Sequence, residues 1–454
     1  MHHWADDSIF YHIYPLGFCG APKENDFTSK AVPRLDKIYG WLDHIQSLGV
    51  NAIYLGPVFE SDAHGYDTAD YYQVDRRLGD NRTLAALSGE LHTRGMRLIL
   101  DGVFNHVGRH FWAFRDVQEN LAKSPYCSWL HRIDFSKKSP YGDPFDYEPW
   151  SGYYNLVKLN LHNQDVVDHL LGAVAQWVED FQIDGLRLDV ADNLLPDFIR
   201  QLYTFSKNLR SDFWLMGEIY HGDYNLWTKP GMLDSATNYD LYKALVSTHN
   251  DENYFEIAHT LNRQFGQYGI YKHLALYNFV DNHDVSRIAS ALKNEKHFPL
   301  VYLLMYTNPG VPSIYYGSEW GIQGKKLPHS DDPMRPSLDL LEIKAGPKAL
   351  GLEDLITRLS VMRNSIPALR YGNYQQLDVS SSQLAYMRQW QRQSVVAALN
   401  SSQEPVRRQV PVPLPEGTCM VDWLQPEVGA VVTGGKLDLE IGPNEGRVFY
   451  TRGE

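Results

Sequence analysis

Residues 184–193 read DGLRLDVADN. Leu186, Leu188 and Val190 alternate with Gly185, Arg187 and Asp189. In an extended strand alternate side chains point to opposite faces, so one face here is apolar and the other carries a cation and a carboxylate. A buried charge without a partner is costly, so the charged face must meet counter-charges or look into a polar cavity.

Seven further apolar, β-branched or aromatic runs surround this one: SIFYHIYP (8–15), VNAIYLGPV (50–58), RLILDGVFNH (97–106), FWLMGEIY (213–220), LDSATNY (233–239), LYNFVDNHD (276–284) and PSIYYGSE (312–319). Amphipathic segments separate several of them. In 165–182, Val166, Val167, Leu170, Leu171, Val174, Trp177, Val178 and Phe181 recur at helical spacing and read as a core stripe, Trp177 included. Strands alternating with helices imply parallel strands joined by right-handed crossovers, and eight such units predict an α/β fold, a (β/α)8 TIM barrel.

Residues 107–155 carry no strong helix pattern and are rich in Tyr, Trp, Pro, Gly and Asp. A segment this long is expected to be a lobe inserted after strand three, beside the mouth of the barrel. Residues 352–374 read as a helix ending near Pro367. Beyond it short strands between Gly, Pro and Asn turns predict an all-β sandwich. The expected domains are therefore the barrel in 1–106 and 156–370, the lobe in 107–155 and the sandwich in 371–454.

The 454 residues are 43% hydrophobic and 21% charged, enough for a large core. A net charge of −13 argues against nucleic acid or an anionic membrane as partner and favours a neutral, hydroxyl-rich or apolar substrate. Cys19, Cys127 and Cys419 are too sparse for a disulfide framework or a metal motif. The N-terminus lacks a basic region followed by an apolar run, and no stretch of about 18 apolar residues spans a bilayer. Together these predict a cytoplasmic protein.

In this fold catalytic groups come from the C-terminal ends of the strands. Those ends offer Asp101, Asn105 and His106 after strand three, Arg187 and Asp189 on strand four, Glu218 on strand five, and Asn282, His283 and Asp284 on strand seven. Taken singly, Asp101 is as readily a helix cap and each His a structural residue. Together they suit glycoside hydrolysis, which needs one ionised and one protonated carboxyl. Arg187 is expected to keep Asp189 ionised as a nucleophile. Apolar neighbours are expected to raise the Glu218 pKa, as an acid/base requires. A metal site is the main chemical rival, and an arginine inside the cluster argues against it.

DGVFNH, GLRLDVADN, GEIY and FVDNHD resemble, in order, the four signature regions of the α-amylase superfamily, glycoside hydrolase family 13. GYDTADYY (65–72) and VKLN (157–160) resemble two further family segments. The resemblance implies Asp189 as nucleophile, Glu218 as general acid then base, and Asp284 as the group that grips the sugar and helps distort it. It implies that Arg187 orients Asp189, that His106 and His283 bond the sugar, that Tyr66 stacks on it, and that Asp101 and Asn105 shape the site. Arg287 is expected to be structural. HSDDPMRPSL (329–338) resembles a family loop in which an Asp and an Arg hold the next glucose. Arg335 is the arginine, and the spacing favours Asp331 over Asp332. Tyr147, Trp150, Tyr153 and Tyr154 are either sugar platforms or lobe packing.

VKLN and GEIY are similar to the branch of cyclomaltodextrinases, neopullulanases and maltogenic amylases, although the barrel begins at once and Asn193 stands where that branch has an acidic residue. Asn160 occupies a position where many amylases bind calcium through an aspartate, so no metal or cofactor is expected there. Calcium elsewhere stays open, as does a homo-oligomer. The resemblance implies a retaining α-glycoside hydrolase of maltodextrins, cyclodextrins or related short α-glucans. A transglycosylase or sugar isomerase of the same chemistry is the alternative. A non-catalytic glucan-binding or scaffold relative is disfavoured by the three intact carboxylates.

Overall fold

The computed structural model describes residues 3–346 and 351–451. Eight parallel strands form one sheet: β1 (Phe10–Ile13), β2 (Ala52–Leu55), β3 (Arg97–Gly102), β4 (Gly185–Leu188), β5 (Trp214–Gly217), β6 (Ser235–Ala236), β7 (Tyr277–Phe279) and β8 (Val311–Tyr315). Their order is β6-β5-β4-β3-β2-β1-β8-β7, and a parallel bridge between Thr237 and Tyr277 joins the two ends into a barrel.

Period-two alternation sorts the strand side chains. Tyr11, Ile53, Leu98, Leu186, Leu188 and Leu215 point outward into the core shared with the helices. Phe10, Ala52, Ile99, Trp214, Tyr277 and Val311 form a separate cluster inside the barrel. Trp4 seals the N-terminal end of this cluster: its ring lies 5.9 Å from Trp214, and Phe10 stacks on Trp214 at 5.3 Å. One layer higher the interior turns polar. His12 is paired with Tyr54 in register, and Arg187 with Asp101 on one side and Met216 on the other. The charged face of 184–193 therefore looks into the barrel, above an apolar plug.

The helix Gln164–Phe181 has the predicted stripe. Asn163 caps it, and Trp177, fully buried, stacks on Phe59 at 4.1 Å while donating its indole N–H to the Tyr71 carbonyl. The inserted region has a three-stranded sheet, His106–Val107, Tyr153–Lys158 and Pro149–Trp150. It also contains a helix, Trp112–Asn120, which the sequence reading missed. That helix buries only Ala113, Phe114 and Val117, too few positions to set a period.

The segment 352–374 is two helices, Leu352–Ser365 and Pro367–Tyr371, and a strand then starts at Asn373. Pro367 sits at the first position of the second helix, where its missing N–H costs nothing. The C-terminal region is a six-stranded antiparallel sheet with a two-stranded ribbon, Val406–Pro411 and Lys436–Ile441. Ala385, Met387, Val396 and Phe449 of the large sheet pack on Val410, Leu437 and Leu439 of the ribbon. Its other face joins the barrel core through Tyr386, Val395 and Leu399. The helix Phe298–Thr307 is buried on every side. All three cysteines are free, and no helix among the described residues is long and apolar enough to cross a membrane.

Candidate active site

Arg187 occupies the centre of the barrel mouth. Its Nη1 donates to Asp101 Oδ1 at 2.8 Å and to Asp189 Oδ1 at 2.9 Å, and Nη2 lies 2.8 Å from Glu218 Oε2. One buried guanidinium thus bridges carboxylates from three neighbouring strands. The arrangement answers the problem posed by 184–193: the cation is fully paired, and removing it would strand several buried anions.

Two backbone features build this contact. β4 ends at Leu188, and Val190 adopts a left-handed conformation, φ 39° and ψ 49°. That region is strongly disfavoured for a β-branched residue, and such strain concentrates at functional sites. The turn places the Val190 N–H 3.1 Å from Glu218 Oε2. Val190 is therefore not part of the strand's apolar face, as the alternation predicted. Glu218 continues past β5 by bonding the Leu188 carbonyl through its own N–H at 2.9 Å.

Asp101 is held on its other oxygen by Tyr54 at 2.8 Å and by Tyr66 at 2.9 Å. The Tyr66 hydroxyl also contacts His283 Nε2, and the two rings lie parallel, 5.4 Å apart. His283 Nε2 is 2.9 Å from Asp284 Oδ2, while Arg335 Nη2 reaches Asp284 Oδ1 and Asp331 Oδ2, each at 2.9 Å. Asp332 instead pairs with Lys23 at the surface. Arg335 lies over the Tyr14 ring at 4.5 Å and Tyr14 stacks on His283 at 5.9 Å.

Asn105 donates to His106 Nδ1 at 3.2 Å. His106 Nε2 is buried, 3.9 Å from Asp189 Oδ2. Trp150 from the lobe stacks on His106 at 5.3 Å, and the exposed Tyr153 stacks on Trp150 at 6.1 Å. Tyr147 and Tyr154 belong to lobe packing: Tyr147 donates to the Tyr154 carbonyl at 2.6 Å, and Tyr154 to Asp146 at 3.1 Å. Arg287 is fully buried, bonds the Tyr316 carbonyl at 2.6 Å and lies 3.9 Å over Tyr315.

The mouth thus gathers Asp101, Asn105, His106, Arg187, Asp189, Glu218, His283, Asp284, Tyr66, Asp331 and Arg335 in one connected region. Sequence reasoning overlooked Tyr14, Tyr54 and His12, which read as core aromatics within strands. It also overlooked Tyr239, whose hydroxyl is 3.1 Å from Glu218 Oε1.

The electrostatics depart from expectation at Asp189. Burial first, and then the charges of Glu218, Asp101 and Asp284, push its carboxyl well above the usual range against the pull of Arg187. A guanidinium shared among three carboxylates does not fully compensate Asp189. Asp284 goes the other way: burial works to raise it, but His283, Arg335 and Arg187 hold it below the usual range. Burial drives His106 down to about 3 and His12 well below neutrality, so both rings are neutral.

Asn160 is committed to the chain: its amide donates to the Ser128 carbonyl at 2.9 Å and its oxygen accepts from the His162 N–H. Among the described residues no group of three His, Cys, Asp or Glu side chains is arranged to hold a metal ion.

Residues 13–346 match the family model described as alpha amylase, catalytic domain. The chain is 32% identical over an alignment of 476 positions to neopullulanase 2 of Thermoactinomyces vulgaris, covering 98% of this chain and 78% of that protein. It is 31% identical over 421 residues to a cyclomaltodextrinase of a Bacillus species, covering 88% and 73%. It superposes on the cyclic α-maltosyl-(1→6)-maltose hydrolase of Arthrobacter globiformis, in complex with cyclic α-maltosyl-(1→6)-maltose, with a TM-score of 0.83, 27% identity and 99% coverage of both chains. The family model covers well over half of the chain, including the carboxylates gathered around Arg187, and the chain belongs to the α-amylase family.

Proposed function

We propose that the protein is a retaining hydrolase of α-glucosidic bonds in short α-glucans such as maltodextrins and cyclodextrins. The observation that carries this reading is the single guanidinium of Arg187 spanning Asp189 and Glu218. Two carboxyls held on one cation at the barrel mouth supply the nucleophile and the acid that a retaining mechanism needs.

In this reading Glu218 gives its proton to the leaving oxygen while Asp189 bonds the anomeric carbon. Water then attacks, returning a proton to Glu218 and freeing Asp189. The raised Asp189 carboxyl favours a proton on the acidic cluster in the free enzyme. The reaction needs Asp189 ionised before the bond breaks, and the Arg187 guanidinium bonded to it pulls in that direction. Asp284, held ionised by His283 and Arg335, accepts sugar hydroxyls. His106, beside Asp189, bonds the same ring, and Tyr66 supplies an aromatic wall.

Relatives are named cyclomaltodextrinase and neopullulanase, and Trp150 and Tyr153 offer a platform for glucan chains on the lobe. No ion is invoked in this reading: Asn160 stands where a calcium-binding aspartate would, and Arg109 binds Asp143 at 2.8 Å on both oxygens. The exposed free Cys419 fits a reducing, cytoplasmic setting.

Proton NMR of fresh maltotriose digests tests the stereochemistry: the α-anomer is expected first, and initial β-anomer overturns the retaining pair. Asp189→Asn and Glu218→Gln are each expected to cut turnover at least ~10²-fold with the fold intact. A product profile on maltotriose, cyclodextrin, pullulan and starch at low and high sugar separates hydrolysis from transfer.

A further inference from the structure

We propose that Tyr239 is the positioning residue that aims the acid proton of Glu218, and that Asn282 sets the direction of the Tyr239 hydroxyl. The inference rests on Glu218 being the general acid.

The two oxygens of Glu218 have different surroundings. Oε2 faces the Val190 N–H at 3.1 Å and Arg187 Nη2 at 2.8 Å. Both groups only donate, so a proton on Glu218 belongs on Oε1. The neighbour of Oε1 is the Tyr239 hydroxyl at 3.1 Å. A phenol can donate or accept, and Asn282 decides which. Its Oδ1 accepts the backbone N–H of Asp284 at 2.8 Å and of Val285 at 3.2 Å. The amide nitrogen is thereby turned to Tyr239, 3.2 Å away. That N–H occupies a lone pair of the phenol, whose own hydrogen then points at Oε1. With one lone-pair direction of Oε1 taken, the acid proton has the other, into the mouth.

Tyr239 is held for this task. It is fully buried at the start of the helix Tyr239–Asn250, directly after the Asn238 cap. Its ring packs on Tyr220 at 4.6 Å and Phe279 at 5.0 Å. Burial, with Glu218 second, raises its pKa, so it remains a neutral donor in both half-reactions. In the first, the Glu218 proton passes from Oε1 to the leaving oxygen as the glycosidic C–O bond breaks and the Asp189–carbon bond forms. In the second, Tyr239 stabilises the ionised Oε1 that takes a proton from water as the water oxygen bonds the anomeric carbon and the Asp189–carbon bond breaks.

The test compares kcat/KM for maltotriose, whose leaving group needs a proton, with 2,4-dinitrophenyl α-maltoside, whose phenol departs without one. Tyr239→Phe is expected to lose about tenfold on maltotriose, part of the 10²–10⁴ an acid supplies, and less than about twofold on the activated substrate. Asn282→Asp keeps the oxygen that receives the two backbone N–H groups, removes the donor to Tyr239, and is expected to give the same split. Equal losses on both substrates, or no loss on maltotriose, overturn the positioning role. Glu218→Gln is the control: if it turns over maltotriose normally, the acid assignment itself falls, whatever Tyr239→Phe shows.

Discussion

Two groups of buried arginines hold this molecule together in opposite ways. Arg187, in the barrel mouth, is surrounded by carboxylates. Arg363 and Arg388, at the joint between barrel and C-terminal sheet, bond backbone carbonyls only among the described residues. Arg388 reaches the Thr307 carbonyl at 2.7 Å and the Gly372 carbonyl at 2.8 Å, and Arg363 reaches those of Tyr306 at 3.0 Å and Leu369 at 3.1 Å. Burial pulls Arg363 down to about 10 and Arg388 to about 9, yet both stay cationic at neutral pH. Carbonyl dipoles give a cation a fixed seat and nothing to exchange. Carboxylates give it a seat and a set of groups that gain and lose protons. The same residue type is a staple in one place and the hub of a reactive cluster in the other.

The largest effect that sharpens this contrast is on activity. Arg187→Met is expected to lower kcat/KM on maltotriose by at least about 10³-fold, since both carboxyls of the pair lose their common anchor. Retention of more than a tenth of the activity would break the contrast. Arg388→Met is expected to do the converse. It strands buried carbonyls and is predicted to cost about 3 kcal/mol of stability, read from denaturant melts, with turnover per folded molecule within about twofold.

A smaller effect comes from protons. The Asp189 carboxyl is raised in the fold, so the native state holds a proton that the unfolded chain has already released. Stability contributed by that group is therefore lost as pH rises from the ordinary carboxyl range towards its folded value. Asp189→Asn removes the loss. It is predicted to raise Tm by about 2 °C at pH 7 and by less at pH 4.5. An equal rise at both values would show that the strain is steric. The smallest effect concerns the lobe: with Asn160 bonded to the Ser128 carbonyl and Asp143 to Arg109, a chelator is expected to leave Tm and kcat unchanged. Any drop restored by calcium would contradict that arrangement.

The parts of this molecule legible in the sequence are those set by periodicity. Leu186 and Leu188 face outward and Arg187 inward because a strand alternates. The carboxylates stand out because each ends an apolar run. The parts that escaped depend on distance or on backbone. Val190 looks like one more strand residue, and nothing in its side chain announces a left-handed turn. Tyr54 and Tyr14 carry hydroxyls whose partners lie far along the chain, so they read as packing. The raised Asp189 carboxyl depends on how many acids share one arginine, which spacing along a single strand does not tell.

The mouth has five carboxylates, Asp101, Asp189, Glu218, Asp284 and Asp331, around only two guanidiniums, Arg187 and Arg335. A cleft with that surplus favours small cations carrying hydroxyls. Amine buffers of the Tris type combine both features and should compete with sugar. Rates measured in them will understate the enzyme, and phosphate or a neutral zwitterion is the better medium in which to weigh it.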